Sequence, residues 1–119
     1  MTELLKALKV KLETITSRAY YDEAPANAKK PYAVYSLSSV QNPLGHDAIL
    51  TINVWGDARD LESIEQMVDQ IADGMEEWSY IGTGIGIYCH ERSRMGIPTV
   101  DSAVRRREIR FDLKITTIV

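Results

Sequence analysis

The chain has 119 residues, of which 45% are hydrophobic and 26% are charged, and its net charge is −3. This composition is typical of one soluble domain with a buried core, and we expect a single domain over residues 1–119. It argues against several classes. No apolar run approaches the roughly 18 residues of a membrane span, the N-terminus lacks a signal-peptide stretch, and the lone Cys89 cannot build a disulfide framework.

The first third of the chain predicts a helix and two strands. Residues 18–21 predict a short strand, and the two prolines in 22–31 predict a loop. Residues 32–40 are rich in β-forming side chains and predict a second strand. The helix is predicted over residues 2–16, because apolar residues recur there at helical spacing: Leu4, Leu5, Leu8, Leu12 and Ile15.

A long β-hairpin is predicted next. Residues 41–46 form its connection, and residues 48–55 form its second strand, since Leu50 and Ile52 alternate with more polar neighbours. The turn would expose the apolar side chain of Leu44, which makes Leu44 a candidate contact point.

The second helix is predicted from Asp57 or Asp60 to about Trp78. Its apolar stripe favours docking on a sheet over a coiled coil, because only about two and a half heptads exist between strands. The stripe contains Leu61, Ile64, Val68, Ile71, Met75 and Trp78. Its opposite face is acidic and carries Glu62, Glu65, Asp69, Asp73 and Glu76.

The last third predicts a turn or irregular strand entry at 80–86, a strand at 85–92, a loop at 93–102 and a clear strand at 104–119. In this last strand the core residues share their parity with Arg105 and Arg107. Unpaired arginines cannot sit in an apolar core, so this strand is expected to extend beyond the core. These elements predict an α+β fold: a mainly antiparallel sheet of four to five strands with two helices packed on it.

Charge is strongly segregated along the chain. Residues 57–77 hold eight acids and one arginine, a net −7, whereas residues 90–119 hold seven basic and four acidic side chains, a net +3. Such segregation can orient a molecule against a partner of opposite sign. Two solvated faces explain it equally well.

No pattern in the sequence indicates a catalytic or metal site. His46 and His90 are far apart, and Cys89 and His90 are neighbours in a strand, so their side chains point to opposite faces. The glycines of 82–86 follow a helix and enter a strand, which is the reverse of a phosphate-binding loop. We therefore expect no enzyme activity, no metal and no cofactor.

The arginines near the C-terminus are the remaining functional signal. They could contact phosphates, but the aromatic interleaving of a single-strand binder is absent, and arginine is also a preferred residue of protein interfaces. Protein contact is the favoured interpretation for this set: Arg92, Arg94, Arg105, Arg106, Arg107 and Arg110.

The order of elements, together with several short motifs, resembles the tail-terminator or tail-completion proteins of long-tailed bacteriophages and prophages. The motifs are Tyr20, the Ala-Pro loop at 24–25, Lys-Pro-Tyr-Ala-Val-Tyr at 30–35, the strand ending Ile-Asn-Val-Trp at 52–55, and the closing Arg107, Arg110 and Phe111. The resemblance covers nearly the whole chain as a pattern of elements.

The resemblance implies a structural protein of the virion tail, present in the host cytoplasm before assembly. It implies a hexameric ring that caps the tail tube, ends its polymerisation and joins the head connector. The alternatives are a head-closure or tube-joining protein, or a small nucleic-acid-binding regulatory domain. The predicted interface residues are Arg92, Arg94, Arg105, Arg106, Arg107, Leu44, Glu65, Asp69 and Asp73.

Overall fold

The structure is a computed structural model that describes residues 2–42, 45–82 and 84–117. These residues form two helices and six strands. In chain order they are α1 (Thr2–Ile15), β1 (Ala19–Tyr21), β2 (Tyr32–Asn42), β3 (Gly45–Asp57), α2 (Leu61–Met75), β4 (Ser79–Gly82), β5 (Ile85–Ile97) and β6 (Val104–Thr117).

All six strands of the described residues join one sheet in the order β1-β2-β3-β6-β5-β4. The α+β class is confirmed, but the prediction of four to five strands is wrong, since the described sheet has six. β1 runs parallel to β2, which makes the sheet mixed. β4 adds an edge strand beside β5 where the sequence indicated only a turn or irregular entry. β2 and β3 pair in register from Tyr32 opposite Trp55 to Asn42 opposite Gly45, which confirms the hairpin. The predicted connection over residues 41–46 is too long, because residues 41–42 and 45–46 belong to the paired strands.

Both helices pack on the same face of the sheet, which we call the covered face. Alternate residues of the strands point into this core, because successive side chains of a strand face opposite sides. α1 contributes Leu4, Leu8 and Leu12, and α2 contributes Ile64, Val68, Ile71 and Met75. The sheet contributes Leu50, Ile52, Val54, Ile109, Phe111 and Leu113, each with essentially no exposed surface.

α2 is shorter than its apolar stripe indicated. Asp60 caps its first turn by accepting a hydrogen bond from the Ser63 backbone N–H, and the helix ends at Met75. Leu61 is 45% exposed and so lies outside the core. Trp78 packs against the core from beyond the end of the helix.

β5 continues to Ile97, so the predicted loop at 93–102 is wrong over its first half. A β-bulge between Glu91 and Ser93 explains the error. The extra residue reverses the alternation of side chains, which hides the strand from a simple period-2 pattern.

Neither helix of the described residues is long and apolar enough to cross a membrane. The molecule is elongated, with principal extents of 50 × 24 × 24 Å.

Candidate protein interface

The acidic side of α2 lies beside arginines of β5 and β6 in the same chain. Arg107 Nε donates to Glu65 Oε1 at 2.8 Å. Arg94 Nη1 donates to Asp69 Oδ1 at 3.2 Å, and its Nε donates to Glu91 Oε2 at 2.8 Å. The two segments of opposite charge that the sequence separates are therefore in contact within one subunit.

Strand parity explains how Arg107 reaches α2. Its position directly opposite Val54 places it on the covered face, as its parity predicts. It avoids the apolar core because it lies near the start of β6, where its side chain is 31% exposed and meets Glu65. Arg94 reaches the same face through the bulge, which places it opposite the buried Ile109.

The other face of the sheet, which we call the open face, carries a polar cluster around Glu108. The Glu108 side chain is only 8% exposed. Arg110 Nε donates to its Oε1 at 2.8 Å, and Arg106 Nη2 lies 3.8 Å from its Oε2. Asn53 Oδ1 accepts a hydrogen bond from Arg106 Nε, and the Arg106 guanidinium lies 5.1 Å from the centre of the Trp55 ring. A carboxylate can remain this buried because charged donors surround it.

The open face continues as a ladder of weaker ion pairs toward the hairpin. Arg92 Nη1 lies 3.5 Å from Asp112 Oδ1, and Lys114 Nζ lies 3.4 Å from Asp47 Oδ2. These groups line a shallow groove of about 290 Å³ that also includes Ile49. Because these side chains are 41–68% exposed, each pair contributes little to stability.

The remaining predicted residues lie apart from these clusters. Arg105 donates to the backbone carbonyls of Ser102 and Val104. Asp73 is exposed on α2. Leu44 lies outside the described residues.

The contacts of His90 and the burial of Cys89 indicate structural roles for both residues. His90 Nδ1 and Glu76 Oε1 are 2.8 Å apart, and Glu76 Oε2 accepts the Glu91 backbone N–H. This backbone hydrogen bond, with a smaller contribution from His90, lowers the pKa of Glu76. Burial raises the pKa of the Cys89 thiol to about 12, so it stays protonated and unreactive. No group of three or more potential metal ligands occurs among the described residues.

Sequence reasoning missed Asn53 and Glu108, which hold the arginines of the open face. Glu108 reads as one more surface acid, but it shares its parity with Arg106 and Arg110. This i, i+2 spacing is the available signal, because residues two apart in a strand lie on one face. The contact of Asn53 with Arg106 depends on the β3–β6 register, which a single sequence does not reveal.

The fold and its charged clusters define a small α+β protein whose sheet has one helix-covered face and one open, charged face. The family model described as "Tail completion protein gp17" matches residues 1–115. The chain therefore belongs to the gp17 tail completion protein family. Membership supports a structural role in a virion tail.

A solved structure supports the fold. One chain of the "Virion of native gene transfer agent (GTA) particle" is similar over 96% of this chain and 90% of its own length, with a TM-score of 0.66 and 14% sequence identity. At this identity the similarity establishes the architecture alone. No curated protein sequence matches the chain.

Proposed function

We propose that this protein forms a hexameric ring that caps the tail tube, ends tube polymerisation and joins the tail to the head connector. Membership of the tail completion family over residues 1–115 carries the proposal. In this proposal the protein waits in the host cytoplasm and enters the virion during assembly. Its partners are other copies of itself, the tube protein and the connector.

The contacts of the arginines favour protein assembly over nucleic-acid binding. Arg92, Arg94, Arg106, Arg107 and Arg110 each have a carboxylate oxygen within 4.0 Å in the same chain. An arginine that already neutralises a carboxylate has less to gain from a phosphate. Binding of duplex DNA at about 50 mM salt would favour the regulatory-domain alternative.

Arg105 is the predicted interface arginine at which reversing the charge tests the ring surface most directly. Its hydrogen bonds go to backbone carbonyls, so Arg105→Glu leaves the ion pairs of α2 in place. By contrast, Arg107→Glu would place a carboxylate beside Glu65 and disturb the subunit itself. Other charged residues of α2 and β5 remain proposed interface residues: Glu65, Asp69, Asp73, Arg92 and Arg94.

Tail tubes mixed with the purified protein test the function directly. Native mass measurement should show a ring in the presence of tubes, and electron microscopy should show capped ends and arrested growth. Arg105→Glu should reduce capping while the charge-matched control Lys29→Glu, in an exposed loop, does not. Tubes that keep growing with uncapped ends in the presence of the wild-type protein would contradict the proposal. A ring that binds connectors but not tubes would favour the head-closure alternative.

A further inference from the structure

We propose that neighbouring copies in the ring join sheet edge to sheet edge, with β4 of one copy pairing in parallel with β1 of the next. This inference rests on the proposed ring, and it identifies the partner of both edges as a second copy of this chain. The ring can still exist if this lateral contact is wrong, so the two proposals fail separately.

The first observation is that both edge strands of the described sheet lack the usual charged or proline protection. β1 is Ala-Tyr-Tyr and pairs with β2, and β4 is Ser-Tyr-Ile-Gly and pairs with β5. Edge strands present unpaired backbone groups, and natural proteins usually blunt them with lysine, proline, bulges or short length. Short length is the protection that these two strands have, and it still permits a short added ladder.

The β4 edge is apolar on both faces. Ile81 is 81% exposed on the open face, because Gly86 lies directly opposite it and offers no side chain to cover it. On the covered face, Trp78 and Tyr80 form a groove of about 460 Å³ with α1, where Val10 is 64% exposed. Exposed apolar surface of this kind on both sides of one edge is typical of a contact site.

The β1 edge also carries a large side chain on each face of the sheet. Tyr20 lies on the open face against Tyr32, and Tyr21 lies on the covered face against Tyr35. Tyr21 is 41% exposed and borders a groove of about 370 Å³ between β1 and the other flank of α1. Tyrosines supply large apolar area together with a polar tip, which suits an interface.

The two grooves carry opposite charge. The groove beside β4 contains two lysines and one acid: Lys6, Lys11 and Glu3. The groove beside β1 contains two acids and one lysine: Glu13, Glu23 and Lys9. When the two edges meet, the grooves merge into one, and complementary charges favour this pairing over β4 with β4 or β1 with β1.

Strand direction is the observation that selects a ring. β2, β6 and β4 point one way, and β3 and β5 point the other, while β1 is parallel to β2. β1 and β4 therefore run in the same direction. Rotation about a ring axis keeps strand directions relative to that axis, so a β4–β1 junction between successive copies is parallel and repeats around the ring. A twofold dimer would instead pair identical edges antiparallel.

A charge introduced at Ile81 provides the first test. Ile81→Asp introduces a charge into the apolar edge, and the subunit should fold normally because the side chain is exposed. In the tube mixture, the variant should remain at the 13.4 kDa mass of one subunit and cap at least ten-fold fewer tube ends. The control Val100→Asp alters another fully exposed apolar residue, in the loop at the opposite end of β5, and should assemble like the wild type. Normal rings from Ile81→Asp would overturn the edge contact and leave the ring proposal intact.

Disulfide trapping on tube ends provides the second test and reports the pairing itself. A chain carrying Ile81→Cys and Tyr20→Cys, both on the open face, should give a ladder of linked subunits up to the closed ring under mild oxidation. Each single variant should stay unlinked, and the buried native Cys89 should not take part. Linked dimers from Ile81→Cys alone would reveal a twofold β4–β4 contact and overturn the proposal. Absence of links in the double variant, on tubes that are capped, would also overturn it.

Discussion

The covered and open faces of the sheet are built from the same strands but held by different forces. Three side chains of β6 on the covered face have no exposed surface: Ile109, Phe111 and Leu113. On the open face of the same strand, the side chain of Arg110 is 46% exposed and that of Lys114 is 68% exposed. The covered face is stabilised by burial, which contributes about 25 cal/mol per Å² of apolar surface. The open face is organised by ion pairs that, when exposed, contribute about 0–1 kcal/mol each. Stability should therefore depend on the covered face, and the open face and the edges are free to vary with partners.

Removing a large side chain from the covered face should have the largest effect. Phe111→Ala should lower the free energy of unfolding by about 3–5 kcal/mol, because burial is lost and a cavity remains. Urea denaturation measures this loss. Lys114→Ala, three residues further along the same strand, should cost less than about 1 kcal/mol. Equal losses for the two variants would mean that the faces do not differ as described.

Glu108 is a residue of the open face that is buried like an interior side chain. Replacing it therefore tests how far the two faces differ in their contribution to stability. Glu108→Ala should lower the free energy of unfolding by about 1–3 kcal/mol, because Arg106 and Arg110 lose a buried carboxylate partner. Asp112→Ala, on the same face and strand but 43% exposed, should cost less than about 1 kcal/mol. Chemical denaturation of both variants tests the difference. A loss at Glu108 no greater than at Asp112 would make the open face a uniformly solvated surface.

The smallest expected effect is an acid-dependent one at Glu76. Because its folded-state pKa lies below the usual value of 4.5, its ionised form stabilises the fold above that pH. This contribution is lost as the pH falls through the lowered pKa. The stability of Glu76→Gln should therefore fall less than that of the parent between about pH 5 and pH 3, as followed by denaturation. Asp57, whose pKa Arg59 lowers to about 2, titrates in both proteins and cancels in the difference.

The neighbouring exposed carboxylate gives a control for this pH dependence. Glu77→Gln should follow the parent, since the hydrogen bond from the Glu91 backbone N–H goes to Glu76. Identical pH dependence for Glu76→Gln and the parent would remove Glu76 from the acid response.

Much of the fold could be predicted from local patterns, and the errors have specific causes. The alternation of Leu50 and Ile52 in β3 and of Ile109 and Phe111 in β6 identified the central strands. The sequence predicts β1 as a strand. Its parallel pairing with β2 depends on tertiary contacts, which a strand of three residues does not encode. The second half of β5 was missed because the bulge after Glu91 shifts its alternation.

The candidate site was predictable by residue type but not by partner. The arginines near the C-terminus and the acids of α2 were identified as charged surfaces awaiting another molecule. In the folded chain Arg107 contacts Glu65 and Arg94 contacts Asp69, because α2 packs across β3, β6 and β5. These pairs lie 25 and 42 positions apart in the sequence, and a single sequence gives no indication that residues so far apart are in contact.

The sequence by itself determined most of the residues that enter the core, since periods of 3.6 and 2 follow from the geometry of helices and strands. It also determined the segregation of charge and the absence of a multi-cysteine framework. Only the tertiary structure decided the order of the strands, the partners of the arginines and the identity of the two edges. These depend on contacts between distant segments, whose pairing is selected by packing of the whole sheet under the helices.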